Sequence, residues 1–262
     1  MASKFQPRNG TTGLARALSK LGFCSRSHAA GLIREGKVEL NGTVRTDPQT
    51  PVRLGRDRLS VDGKAVQKTA WIYLMLNKPR GLVTTTADEK GRQTVFECLA
   101  GKNLPFVAPV GRLDRASEGL LLFTNDTAWA ARIIDPSSRI EKTYHVQIDR
   151  IADDALLDQL KAGMELTGEI LRVKHARLLR RGEKNCWLEI VLDEGRNRHI
   201  RRLLEALGVG VARLVRVAIG GLALRDLRKG DTRLLDAEDL KAIEQPFLST
   251  CSDRLRSYHL PS

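Results

Sequence analysis

Residues 109–126 read PVGRLDRASEGLLLFTND. An apolar segment ends at Val110, a polar stretch carries Arg112, Asp114, Arg115, Ser117 and Glu118, and a second apolar run follows from Gly119 to Phe123. Short apolar runs bounded by glycine and polar clusters are the pattern of buried strands. The polar stretch is therefore a loop at one end of a sheet, where rigid strands commonly present reactive groups. Asp114 stands out because Arg112 and Arg115 flank it and compensate its charge. A turn-forming aspartate paired with arginine would look the same from chemistry alone.

Working outward, the N-terminal side is strongly basic. The whole chain carries a net charge of +13, and residues 1–70 hold thirteen Lys or Arg against five Asp or Glu. More than half of the excess thus sits in about a quarter of the chain, which points to a polyanion such as nucleic acid. Leu14, Ala17, Leu18 and Leu21 fall at helical spacing, and Gly22 closes that helix. Ser25 or Ser27 can cap a second helix ending at Gly36, and two hairpins are expected around Asn41-Gly42 and Asp62-Gly63. Residues 1–12 lack periodicity and are expected to form a mobile arm.

Composition narrows the class. With 42% hydrophobic and 29% charged residues over 262 positions, the chain suits a soluble protein of two domains. No run is long enough for a membrane span and the N-terminus has no apolar signal core, so a cytoplasmic location is expected. Cys24, Cys98, Cys186 and Cys251 are far apart, and the five histidines lack ligand spacing. No metal is expected.

Beyond Gln67–Ala70, a plausible linker, Trp71–Leu76 reads as a buried strand leading into NKPRG at 77–81. A short helix is expected at Thr94–Leu99, another at Ala128–Ile134, a strand at Glu141–Ile148 and a helix at Asp153–Ala162. Strands at Val173–Leu179 and Cys186–Leu192 precede DEGRNRHIRRLLEALG at 193–208, a loop opening a helix. Its buried face is Ile200, Leu203, Leu204 and Leu207, which leaves Arg198 and Arg202 behind and Arg201 on the edge. Val211–Leu224 is a final apolar run with a bend or bulge expected at Gly220-Gly221, and Asp236–Glu244 a last helix. Residues 246–262 are polar, irregular and expected to be disordered.

Three of these stretches carry a resemblance. GRLDRASEGLLLFTND at 111–126 closely resembles the active-site motif of the bacterial ribosomal RNA pseudouridine synthases of the RsuA/RluB/RluF type. The NKPRG turn, the Lys142-Thr-Tyr144 strand and the 193–208 segment are similar to further motifs of the same family. SRSHAAGLIREGKVELNG at 25–42 resembles the RNA-binding domain named after ribosomal protein S4.

The resemblance implies an α+β chain: a small α/β S4-like domain at 13–68, then a synthase domain at 71–245 with a mixed, mostly antiparallel sheet and a catalytic cleft. It implies isomerisation of a ribosomal uridine, with a lean towards large-subunit 23S RNA, by breaking the N-glycosidic bond, turning the uracil and rejoining it through C5, with no cofactor. Asp114 would be the essential carboxylate, acting as nucleophile or base. Tyr144 would stack on the flipped uracil, and Arg201 would pair with Asp114. Arg16, Arg26, His28, Arg34 and Lys37 would meet RNA from the S4-like domain, with Arg112, Arg198 and Arg202 doing so near the cleft. The partner would be ribosomal RNA or a subunit precursor, and the enzyme a monomer. The competing readings are a ribosome-assembly protein that only binds RNA and a synthase acting on transfer RNA. A sugar hydrolase is disfavoured, because such enzymes need two carboxylates and only Glu118 lies near.

Overall fold

The computed structural model describes residues 10–86 and 88–245. They divide into two compact units. One runs to Ile72 and takes in Gly101–Ala108 and Thr124–Thr127; the other holds Tyr73–Ala100, Pro109–Phe123 and the chain from Ala128 on.

The first unit opens with β1 (Thr12–Gly13), α1 (Leu14–Lys20) and α2 (Arg26–Arg34). Ser25 caps α2 by accepting from the His28 amide at 3.1 Å, and Gly22 and Gly36 close the two helices at φ +76 and +72. Then come β2 (Val38–Leu40), β3 (Thr43–Val44), β4 (Pro51–Val52), β5 (Leu59–Val61) and β6 (Lys64–Ala65). The four strands β3-β2-β5-β6 form an antiparallel sheet whose turns at Asn41-Gly42 and Asp62-Gly63 all have positive φ, as the hairpin reading expects. Leu14, Leu18, Ala29, Ile33, Val38, Val52 and Leu59 make the core.

Two expectations change here. Thr12 and Gly13 pair with Val52 and Pro51, so the expected mobile arm does not reach Thr12; residues 1–9 lie outside the described residues. The expected linker is pinned by Asn125 of the central stretch. Its amide nitrogen donates to Thr69 Oγ1 at 3.1 Å and to the Ala70 carbonyl at 2.9 Å, and its oxygen accepts from the Ile72 amide at 2.8 Å.

The second unit is built on β7 (Tyr73–Lys78), β8 (Ala108–Val110), β9 (Glu118–Thr124), α3 (Thr127–Ile134) and β10 (Lys142–Ile148). It continues with α4 (Asp154–Ala162), β11 (Met164–Leu166), β12 (Glu169–Leu171), β13 (His175–Arg181) and β14 (Cys186–Leu192). The chain then forms α5 (His199–Ala206), β15 (Val211–Ile219), β16 (Leu222–Ala223), β17 (Thr232–Leu234) and α6 (Ala237–Ile243). Among the described residues these make a nine-stranded sheet in the order β13-β14-β10-β15-β9-β7-β17, with β16 on β15 and β8 on β9. The β15–β9 pairing is parallel; β10–β14, β10–β15, β13–β14, β15–β16 and β17–β7 are antiparallel. The sheet is mixed and mostly antiparallel, as expected.

β9 is buried along its whole length, which explains its continuous apolar run. The parallel contact needs Gly119: at φ +101, an added Cβ would lie 2.2 Å from the Arg216 carbonyl oxygen.

Three differences from the expected elements have simple causes. The strand expected from Trp71 starts at Tyr73, because Trp71 is 52% exposed and outside the sheet. Gly220-Gly221 is a turn that reverses the chain into β16 rather than a bulge, and the Gly221 amide donates to the Ala242 carbonyl at 2.7 Å. The β11–β12 hairpin, turning on Thr167 and Gly168 at positive φ, and β17 were not expected. The expected tail at 246–262 lies outside the described residues.

Candidate active site

The loop between β8 and β9 is held by its backbone. Every carbonyl from Leu113 to Ser117 has a donor. Thr84 Oγ1 donates to Leu113 at 2.7 Å, and the Ser117 amide closes a tight turn onto Asp114 at 2.9 Å. The Gly81 amide donates to Arg115 at 2.8 Å, and Arg201 Nη2 to Ala116 at 3.1 Å. Lys78 Nζ donates to Ser117 at 2.9 Å, to Asp114 at 3.2 Å and to Pro79 at 3.1 Å. A loop with so many fixed carbonyls presents its aspartate side chain with little freedom.

Asp114 and Tyr144 line one cavity of about 390 Å3 together with Arg112, Lys142, Arg198, His199, Arg201 and Arg216. Ile133, Leu214 and Ile219 supply apolar walls. Tyr144 is buried on β10, opposite Arg216 on β15.

Arg201 does come to the site, but not as expected. Among the described residues it forms no ion pair with Asp114; its guanidinium donates to the carbonyls of Ala116 and Val211, at 3.1 and 3.3 Å. It acts on the loop carrying Asp114, and its Nε is buried without a partner among the described residues. Burial pulls the guanidinium below its usual pKa and Arg198 adds to this, while the charge of Asp114 opposes it.

Arg202 is placed elsewhere. It donates to Glu169 Oε2 at 3.0 Å, to Thr167 Oγ1 at 2.9 Å and to the Leu166 carbonyl at 3.3 Å. Its charge is committed to the β11–β12 turn, and the expected RNA contact has no support from that placement. Arg112 and Arg198 are exposed at the cavity. Arg198 stands just before α5 with φ 50. In the first unit Arg16, Arg26, His28, Arg34 and Lys37 are all exposed, Lys37 beside Glu35 at 2.7 Å.

Four residues at or below the cavity escaped the sequence reading, or were read as architecture only. Lys78, taken as part of a turn, is fully buried under the loop; a lysine closing an apolar strand was the available signal. His199 is buried, with Nε2 donating to the Arg172 carbonyl at 2.9 Å, and burial lowers its pKa. Lys142 is also lowered, first by burial and then by Arg216. Arg216 interrupts the apolar run from Leu214 to Ile219 on β15, which is itself a signal.

Among the described residues no group of three or more His, Cys, Asp or Glu could hold a metal ion, and no helix is long and apolar enough to cross a membrane. The arrangement offers a carboxylate on a rigid loop, an aromatic ring lining the same cavity and a surplus of cations.

The comparisons with known proteins agree with this chemistry. The RNA pseudouridylate synthase family model matches residues 72–206 and the S4 domain model residues 12–59. An uncharacterised RNA pseudouridine synthase of Rickettsia conorii is 38% identical over 87% of this chain and 98% of its own. Ribosomal large subunit pseudouridine synthase B of Bacillus subtilis is 36% identical over 88% of this chain and 94% of its own. The protein of the same name from Haemophilus influenzae is 32% identical over 92% and 69%. A crystal structure of a pseudouridylate synthase, 28% identical, covers 88% of this chain and 99% of its own with a TM-score of 0.61. This chain therefore belongs to the RNA pseudouridylate synthase family, as an RNA-modifying isomerase that carries an S4 domain.

Proposed function

We propose that the enzyme converts one uridine of large-subunit ribosomal RNA, or a few neighbouring ones, to pseudouridine. The two relatives named for the large ribosomal subunit support that target over the small subunit and transfer RNA. Asp114 is the carboxylate that attacks the ribose or removes its proton, and Tyr144 holds the flipped uracil while it turns. Arg201 keeps the loop in place through Ala116. No external energy is required, because the C–N bond is replaced by a C–C bond. Residues 13–68 dock folded RNA through Arg16, Arg26, His28, Arg34 and Lys37, and the enzyme works as a cytoplasmic monomer.

The observation that carries this reading is the sharing of one cavity by Asp114 and Tyr144, with the loop of Asp114 fixed at five consecutive carbonyls. Mere RNA binding has no use for such a loop. The test is pseudouridine mapping across ribosomal and transfer RNA in a strain lacking the protein, then in strains rescued by wild type or by Asp114→Asn. Loss of one large-subunit site, restored only by wild type, is expected. Persistence of every ribosomal pseudouridine would overturn the target, and rescue by Asp114→Asn would overturn the catalytic role.

A further inference from the structure

Arg216 is the most unusual charge in the cavity. It lies on β15 within the run from Leu214 to Ile219 and is 6% exposed. A buried guanidinium normally has a carboxylate or a full set of acceptors. Here Nε donates to the Leu120 carbonyl at 2.7 Å, while Nη2 is buried with no partner among the described residues. No carboxylate pairs with it among those residues, and the neighbouring charge it acts on is the cation Lys142. The site thus holds a buried donor without an acceptor, on a residue that lines the cavity together with Tyr144, Leu214 and Ile219.

The backbone sets where that donor points. Arg216 is the register partner of Tyr144 on β10 and of Gly119 on β9, and paired residues of neighbouring strands share a face. The bond from Nε to Leu120 fixes the guanidinium, and the register sets Arg216 across from Tyr144 on the neighbouring strand. A base stacked on Tyr144 would present its edge to a neighbour in that position.

We propose that Arg216 Nη2 donates to the C4 carbonyl of the target uracil and so selects uridine over cytidine. This rests on the reading of the cavity as a uridine site. Arginine has only donors, so it donates to the C4 oxygen of uracil and opposes the C4 amino group of cytosine. The contact also suits the reaction. Turning the detached uracil about its N3–C6 axis exchanges N1 with C5 and the C2 carbonyl with the C4 carbonyl. The same donor therefore finds an oxygen before and after the turn, and the base is held without being locked. A phosphate is the other acceptor a guanidinium takes, but the exposed Arg112 and Arg198 serve that need at the cavity.

The experiment uses full-length Asp114→Asn, which leaves the RNA unconverted, and a fragment of large-subunit RNA spanning the mapped uridine, with U or C at that position. The U fragment should bind more tightly by about 10- to 100-fold, the range of one hydrogen bond to a charged group. Adding Arg216→Gln, which retains an amide donor for Leu120, should bring the two affinities within about twofold and leave the salt dependence unchanged. Arg216→Lys, which keeps the charge, controls for folding and should bind U less selectively than Arg216. An undiminished U preference in Arg216→Gln overturns the inference. So does a salt slope shallower by about 0.7–0.9, which would mark a phosphate contact. If wild type converts the fragment in either case, the parent reading stands and only this one falls. If wild type converts no uridine, both fall.

Discussion

The ammonium of Lys78 lies 3.2 Å from the backbone carbonyl of Asp114 and is fully buried beneath the loop that carries it. Its other two bonds go to Pro79 and Ser117, so one cation ties the end of β7 to both ends of the turn. Sequence alone reads this lysine as part of a Lys-Pro turn. Its partners are backbone carbonyls, which residue types do not announce.

A pH dependence follows. Burial pulls Lys78 down to about 8, against the attraction of Glu118 and Asp114. Since the free value is 10.5, the native state gives up this proton before the unfolded state does. Between those values the unfolded chain binds more protons, so this group makes the fold more stable as pH rises, even as the loop loses a charged donor. Turnover should decline with an apparent pKa near 8 without a matching fall in thermal midpoint. In Lys78→Met that limb should vanish, and turnover should be about 10- to 100-fold lower throughout, because the loop loses three hydrogen bonds from one buried cation. A limb that survives in Lys78→Met would assign it to another group.

Arg201 and Arg202 separate by what they hold. Arg201→Ala frees the Ala116 and Val211 carbonyls and should cut turnover by about 100-fold, roughly 2.7 kcal/mol. Arg202→Ala loosens only the β11–β12 turn and should keep activity within a few-fold, with a slightly lower thermal midpoint. Steady-state kinetics on one RNA fragment checks both, and equal losses would mean that the bond to Ala116 does not matter.

How much of this was legible depended on where each residue finds its partner. α1, α2 and the two hairpins of the first unit depend on local signals, such as Ser25 accepting from His28 and positive φ at Asn41 and Gly42. Those signals sit in the sequence. The β11–β12 hairpin has only three-residue strands and a Thr-Gly turn, too short for a period to emerge. The loop of Asp114 was placed by its motif, yet the ion pair expected with Arg201 is replaced by a bond to a carbonyl two residues on. Helix geometry located Arg201 on the right edge; which atom it meets depends on the tertiary path of the loop.

Gly119 offers a test of the parallel contact between β9 and β15. Gly119→Ala would put a methyl 2.2 Å from the Arg216 carbonyl oxygen at φ +101. Gly42→Ala also meets a positive φ, +79, but has open space. The second should cost about 1–2 kcal/mol in denaturant unfolding, the left-handed penalty alone. The first should exceed about 4 kcal/mol or fail to fold. Similar costs would mean that the strands part easily.

Glu189 should govern part of the acid stability. It is 1% exposed on β14, with Arg177 Nε at 2.6 Å and His145 Nε2 at 3.7 Å. Burial alone would raise its pKa; His145 and Arg177 outweigh burial and bring it to about 2. The folded value lies below the ordinary 4.5, so its contribution is present above 4.5 and lost as pH falls towards 2. That is on the order of 3 kcal/mol. Glu189→Gln should lower stability at neutral pH and flatten the fall across that window in urea titrations. An unchanged acid limb would shift the origin to other carboxylates.

The S4 domain makes the last prediction, through charge. Arg26, Arg34 and Lys37 are exposed on α2 and just beyond it. Lys37 is paired with Glu35, itself exposed, and such surface pairs yield readily to a stronger anion. Removing one cation that neutralises a phosphate should make the slope of log affinity against log salt shallower by about 0.7 to 0.9. Changing all three residues to Ala should therefore flatten the slope by about 2 to 3 and weaken binding to ribosomal RNA most at low salt. Turnover at saturating RNA should hold, since the cavity of Asp114 is built from the other unit. A control removing Arg181 and Lys184, exposed residues of the synthase unit, should leave the slope nearly unchanged. If the triple variant keeps the wild-type slope, or the control flattens it equally, the charge of α2 does not dock the RNA. A different face of the protein must then do so.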